Sequence, residues 1–80
     1  MILGMILPSK QAVSGEIRAH AARRNLSQRD LATKLGMPQS TLSRRMTGEQ
    51  PWDLDELDAV AELFALDLRD LLPAAKAVTT

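Results

Sequence analysis

Eighty residues make one small domain: single hydrophobic cores commonly occupy about 100 to 150 residues, and a chain this short has no room for a large catalytic cleft. An apolar fraction of 45 % beside 25 % charged residues fits a folded chain rather than a disordered one, and with Trp52 and Phe64 as the sole aromatics the core must be aliphatic. The lack of Cys excludes disulfides and thiolate metal sites, and a single His20 excludes an imidazole cluster; zero net charge conceals an uneven spread, with eight Lys and Arg against three acids in residues 1–50 and two against seven in residues 51–80.

In chain order, residues 1–13 read as an apolar N-terminal arm. Its run Met1–Leu7 (MILGMIL) lacks the basic flank of a secretory signal and is far shorter than the about 20 residues that span a bilayer, so the chain is expected to be neither exported nor membrane-inserted. Left exposed, such a run would invite aggregation, which predicts that it packs on the domain or on a second subunit. A helix follows from Ser14 to about Arg24, with Val13, Ile17, His20 and Ala21 inward and Asn25 in the left-handed closing position. Ser27 then offers an N-cap with Asp30 three residues on, and Leu31, Ala32 and Leu35 share one face of a second helix that stops at Gly36.

A third helix starts beside Pro38 and runs from Gln39 to Thr47-Gly48. Only Leu42 and Met46 form its apolar stripe, which leaves most of its circumference polar or basic. Asp53 and Glu56 have the spacing of a capping box, followed by an apolar arc of Leu54, Leu57, Val60, Ala61 and Phe64 with Asp55, Asp58 and Glu62 opposite. Trp52 is expected to staple the loop against this fourth helix, its indole N–H a secondary candidate for contact with a partner molecule. Asp67 caps a last short helix, Leu68 to Leu72, and residues 73–80 form a tail after Pro73. The expected architecture is all-α, a compact array of about five short helices, with the domain proper at residues 14–72.

Residues Gln28 to Met46 hold the informative pattern: two short helices joined by a tight turn at Gly36, with small Ala32 allowing a close crossing and Leu31, Leu35 and Leu42 meeting under the corner. Such a corner makes the second helix protrude, and a helix about 10 to 12 Å wide fits the major groove of DNA. The segment Ile17–Leu72 resembles the helix-turn-helix domains of the lambda-repressor/Cro type. The resemblance rests on Leu26-Ser27-Gln28, Leu31-Ala32, Gly36, Ser40-Thr41-Leu42-Ser43-Arg44, Gly48 and the closing helices Leu57 to Leu72. Departures stand at Arg45 and Met46, where many members carry an apolar residue followed by an acid, and at Ala21 in place of a frequent arginine.

The resemblance implies a five-helix fold that binds operator DNA, commonly as a two-fold dimer, and regulates transcription. Carried over by position, Gln39, Ser40 and Arg44 face base edges and Gln28 fixes the DNA backbone. The chemistry agrees: a Gln amide matches adenine N6/N7, an Arg fork matches guanine O6/N7, and hydroxyls serve base or phosphate. On a helical projection Ser40, Ser43, Arg44 and Thr47 share an arc opposite Leu42 and Met46. This adds Ser43 to the expected base contacts, while Lys34, Thr41, Arg45 and Thr47 are expected at the backbone.

The helix starts at Gln28 and Gln39 add oriented N–H groups that suit phosphate. Attraction to DNA falls to some of Lys10, Arg18, Arg23, Arg24, Arg29, Lys34, Arg44 and Arg45, with the acidic fourth helix turned away; Arg24 is also a candidate to lay its stem across the core. No enzymatic activity, cofactor, metal, membrane or small-molecule ligand is expected, since no catalytic order surrounds His20 and the acids of 53–58 lack the glycine of a calcium loop. The expected setting is the cytoplasm of a bacterium or phage-infected host, at the nucleoid. The alternative reading is a helical protein-interaction module, antitoxin-like or adaptor, on the same scaffold.

Overall fold

A computed structural model describes residues 10–72, and every regular element among them is helical. Four α-helices, α1 (Lys10–Arg23), α2 (Gln28–Leu35), α3 (Gln39–Thr47) and α4 (Leu54–Leu63), precede a 3₁₀ turn at Leu68–Leu71. The expected fifth helix is thus a single tight turn. Asp67 caps its first N–H groups, accepting from the Arg69 N–H at 3.2 Å, and the chain leaves helical geometry by Leu72, just before Pro73. The Met1–Leu7 arm and the 73–80 tail lie outside the described residues.

The caps read from the sequence do form. At α2 the Ser27 hydroxyl accepts from the Asp30 N–H (3.1 Å) while the Asp30 carboxylate accepts from the Ser27 N–H (3.3 Å). At α4 Asp53 and Glu56 make the same exchange at 2.8 and 3.0 Å. Each side-chain cap contributes about 1 kcal/mol by satisfying N–H groups that no preceding turn can reach.

Three helices close in one way, with a left-handed residue followed by a bond that spans the last turn. Asn25 (φ 56°), Gly36 (φ 68°) and Ala65 (φ 56°) take that residue's place. The closing bonds are Leu26 N–H to Ala21 O (3.0 Å), Met37 N–H to Ala32 O (2.9 Å) and Leu66 N–H to Ala61 O (2.8 Å).

The core is aliphatic as composition demanded. Ile17, Leu31, Leu42, Val60 and Leu71 are completely enclosed, with Val13, Ala21, Ala32, Met46, Leu57, Ala61, Trp52 and Phe64 around them. Each fully buried leucine or isoleucine contributes about 1.5 to 3 kcal/mol of transfer free energy, and α3 gains its hold through Leu42 and Met46. Leu54 departs from the expected arc: it is 65 % exposed, because it sits at the first position of α4, before the turn that meets the core.

Two further differences concern α1. The helix starts at Lys10 rather than Ser14, so residues 10–13 of the expected arm are helical. Ser14 lies inside that helix with no exposed surface. Its first turn is held by the end of α3, a tertiary support that no local pattern announces.

Candidate nucleic-acid interface

The α2–α3 corner turns at Gly36, where the positive φ suits glycine and a side chain would meet nothing within 4 Å. Beyond it α3 buries Leu42 and Met46 and leaves Gln39, Ser40 and Arg44 exposed, with Thr41 and Ser43 half-buried at the flanks. Three of the four expected base-reading residues, Gln39, Ser40 and Arg44, are thus exposed, and the fourth, Ser43, is half-buried. Gln28 and Lys34 on α2 are exposed as well, as is Arg29. Hydrogen bonds from Ser27, aided by the Lys34 and Arg29 charges, hold the Asp30 carboxyl below the usual aspartate value, so the first turn of α2 carries an anion of its own.

The entry of α3 is open. Pro38 is the N-cap, with extended ψ of 144°, and no side chain caps the helix. Its first N–H groups are left to solvent or to an incoming anion.

The exit of α3 is closed by side chains of α1. Ser14 Oγ donates to the Arg45 carbonyl, and an Arg18 N–H donates to the Met46 carbonyl. Gln11 Nε2 reaches Gly48 O at 3.4 Å and Lys10 Nζ reaches Glu49 O at 3.3 Å. Residues 11, 14 and 18 follow helical spacing, so one polar stripe supplies the donors, and two cations complement the negative end of the α3 dipole. Gly48 (φ 81°) permits this approach: a Cβ there would lie 3.0 Å from Gln11 Cγ and 3.1 Å from its Cα.

Several residues read from the sequence as DNA-facing have other partners. Arg45 grips Glu56 with two donors, Nε to Oε1 at 2.9 Å and an outer nitrogen to Oε2 at 3.2 Å, and gives a third to Gln50 Oε1 at 2.7 Å. Burial alone would raise the Glu56 carboxyl; hydrogen bonds from Arg45 and the Asp53 N–H outweigh it and hold the group below the ordinary glutamate value. A projection of α3 alone places Arg45 toward phosphate, whereas its charge is neutralised by an acid on α4. Thr47 donates to the Arg44 carbonyl (3.2 Å) and accepts from the Glu49 N–H (3.3 Å), so its hydroxyl shapes the helix exit.

Arg24 lies 4.6 Å from the centre of the Phe64 ring and donates to the Phe64 carbonyl at 3.1 Å, the stem-over-core reading. Trp52 is buried and its indole N–H donates to Ser14 Oγ at 3.3 Å, so the N–H is engaged inside the fold. His20 sits among Glu16, Arg23, Arg24 and Phe64.

The family model described as helix-turn-helix matches residues 17–71 of the chain. The protein belongs to the lambda-repressor/Cro-type helix-turn-helix family. No curated protein matches the sequence. Among solved structures, the chain is similar to the clp gene regulator ClgR from C. glutamicum, with TM-score 0.74 and 20 % identity over 89 % of this chain and 92 % of that one. It is also similar to the restriction-modification controller protein C.AhdI from Aeromonas hydrophila, with TM-score 0.72 and 21 % identity over 78 % and 94 % of the two chains. At such identities the likeness concerns the fold.

Within this helix-turn-helix domain the departures at 21 and 46 are consistent with one another. Ala21 and Met46 both lie buried in the same core, so neither leaves an unpaired charge there. Among the described residues no helix is long and apolar enough to cross a membrane.

Proposed function

We propose that the protein is a sequence-specific, double-stranded-DNA-binding regulator of transcription, a Cro or repressor of phage or bacterial origin, which lays α3 in the major groove of an operator. The observation that carries this reading is the exposure of Gln39, Ser40 and Arg44 on a helix whose entry is uncapped. In it Gln39 reads adenine, Arg44 reads guanine, and Ser40 and Ser43 complete the contacts to bases. Gln28, Lys34 and Thr41 hold phosphates together with the uncapped N–H groups that open α3. Arg45 is left out, its donors being engaged by Glu56 and Gln50.

The regulator acts as a homodimer on a near-palindromic site, its half-sites about 34 to 36 Å apart. Near the C-terminal end Leu71 is fully buried, which leaves the half-buried Leu63, Leu68 and Leu72 as candidates for the pairing surface.

Selection from randomised duplexes at fixed salt tests the proposal. A recovered consensus holding an adenine and a guanine within one half-site is expected. Indifference to sequence would overturn it and favour a protein-interaction role.

A further inference from the structure

The two ends of α3 are held differently, and Arg44 sits at the held one. Its own carbonyl accepts from the Thr47 hydroxyl and the Gln50 N–H, both at 3.2 Å. The next carbonyl, of Arg45, accepts from buried Ser14, and the one after, of Met46, accepts from Arg18. Three successive carbonyls at the base of the Arg44 side chain are thereby fixed, two of them by α1, a helix that carries none of the proposed base contacts. Ser14 is fixed in turn, since its oxygen accepts from the Trp52 indole. Gln39, five residues earlier, has no comparable tether: it follows Pro38 at the uncapped entry.

We propose that Ser14 and Arg18 are positioning residues for base readout, setting the height and rotation of the Arg44 end of α3 and thereby the discrimination at the base pair Arg44 reads. This rests on the reading of α3 as the recognition helix. A two-pronged contact to guanine tolerates little rotation of the fork, so an end released by one carbonyl tether loses discrimination before it loses attraction to phosphate. Preference at the Gln39 base pair is set by contacts the tethers do not touch.

The test measures wild type, Ser14→Ala, Arg18→Ala and Arg18→Lys against the selected operator and against duplexes altered singly at each position. Expected for the two alanine variants is about a fivefold fall in discrimination at the Arg44 position, the lower end of what one bidentate base contact is worth, with preference at the Gln39 position unchanged. Arg18→Lys, which keeps a donor and a charge for Met46 O, restores most of it. Exposed Arg18 can be replaced without opening the core, so its variants report even where Ser14→Ala fails to fold. A uniform loss at all positions, or an Arg18→Ala profile identical to wild type, would overturn the proposal. A wild type without any base preference would instead overturn the recognition-helix reading beneath it.

Discussion

The entry and the exit of α3 are built on opposite principles. At the entry the helix has a proline cap, exposed Gln39 and Ser40, and N–H groups with no side-chain acceptor. At the exit, carbonyls are taken by Lys10, Gln11, Ser14 and Arg18, and Arg45 is locked to α4. The difference teaches that a short helix with two buried apolar residues can still present a fixed face, provided one end is anchored by tertiary hydrogen bonds and the other is left available.

Gly48→Ala should break the contrast most severely. It combines a left-handed backbone with a Cβ pressed against Gln11, and about 3 kcal/mol of stability should be lost in urea unfolding. Arg45→Ala should cost about 1 to 2 kcal/mol in urea unfolding, since it strands a half-buried Glu56.

The same pair gives a pH signature. The Glu56 carboxyl titrates lower in the folded protein than in the unfolded chain, so its contribution is complete above the unfolded glutamate value and is lost as pH falls through the folded one. Glu56→Gln should flatten that part of the stability–pH curve.

Ala65→Gly sharpens the comparison from outside α3. It supplies at the end of α4 the residue that the exit of α3 already has, and should raise stability by about 1 kcal/mol. Gln39→Ala and Arg44→Ala, at exposed positions, should leave stability within about 0.5 kcal/mol. Each should shift discrimination at one base pair by about 1 to 3 kcal/mol, whereas Lys34→Ala weakens all sequences and lowers the salt slope by about 0.9.

What the sequence made legible was local. Ser27 and Asp30, Asp53 and Glu56, Asn25 and Gly36 announce themselves because caps and left-handed closures are written within a few residues; helical spacing sets Ser40, Ser43, Arg44 and Thr47 opposite Leu42 and Met46, whereas Gln39 entered through the family resemblance. What escaped was decided across the fold. Ser14 reads as a helix start, yet its partners lie 31 and 38 residues away. Arg45 reads as a phosphate ligand because its acid, Glu56, is on the far side of a loop. Ala65 hides a left-handed backbone behind the residue least associated with one, and the bond from Leu66 to Ala61 holds it there.

The room around Gly36 bears on how this chain could drift over generations. With nothing within 4 Å of a would-be side chain, only backbone handedness constrains that site, and Asn25 already shows a left-handed asparagine closing α1. Replacement of Gly36 by asparagine is therefore a tolerated step, so in a saturation library this site should accept a small polar set while its counterpart at 48 returns glycine alone.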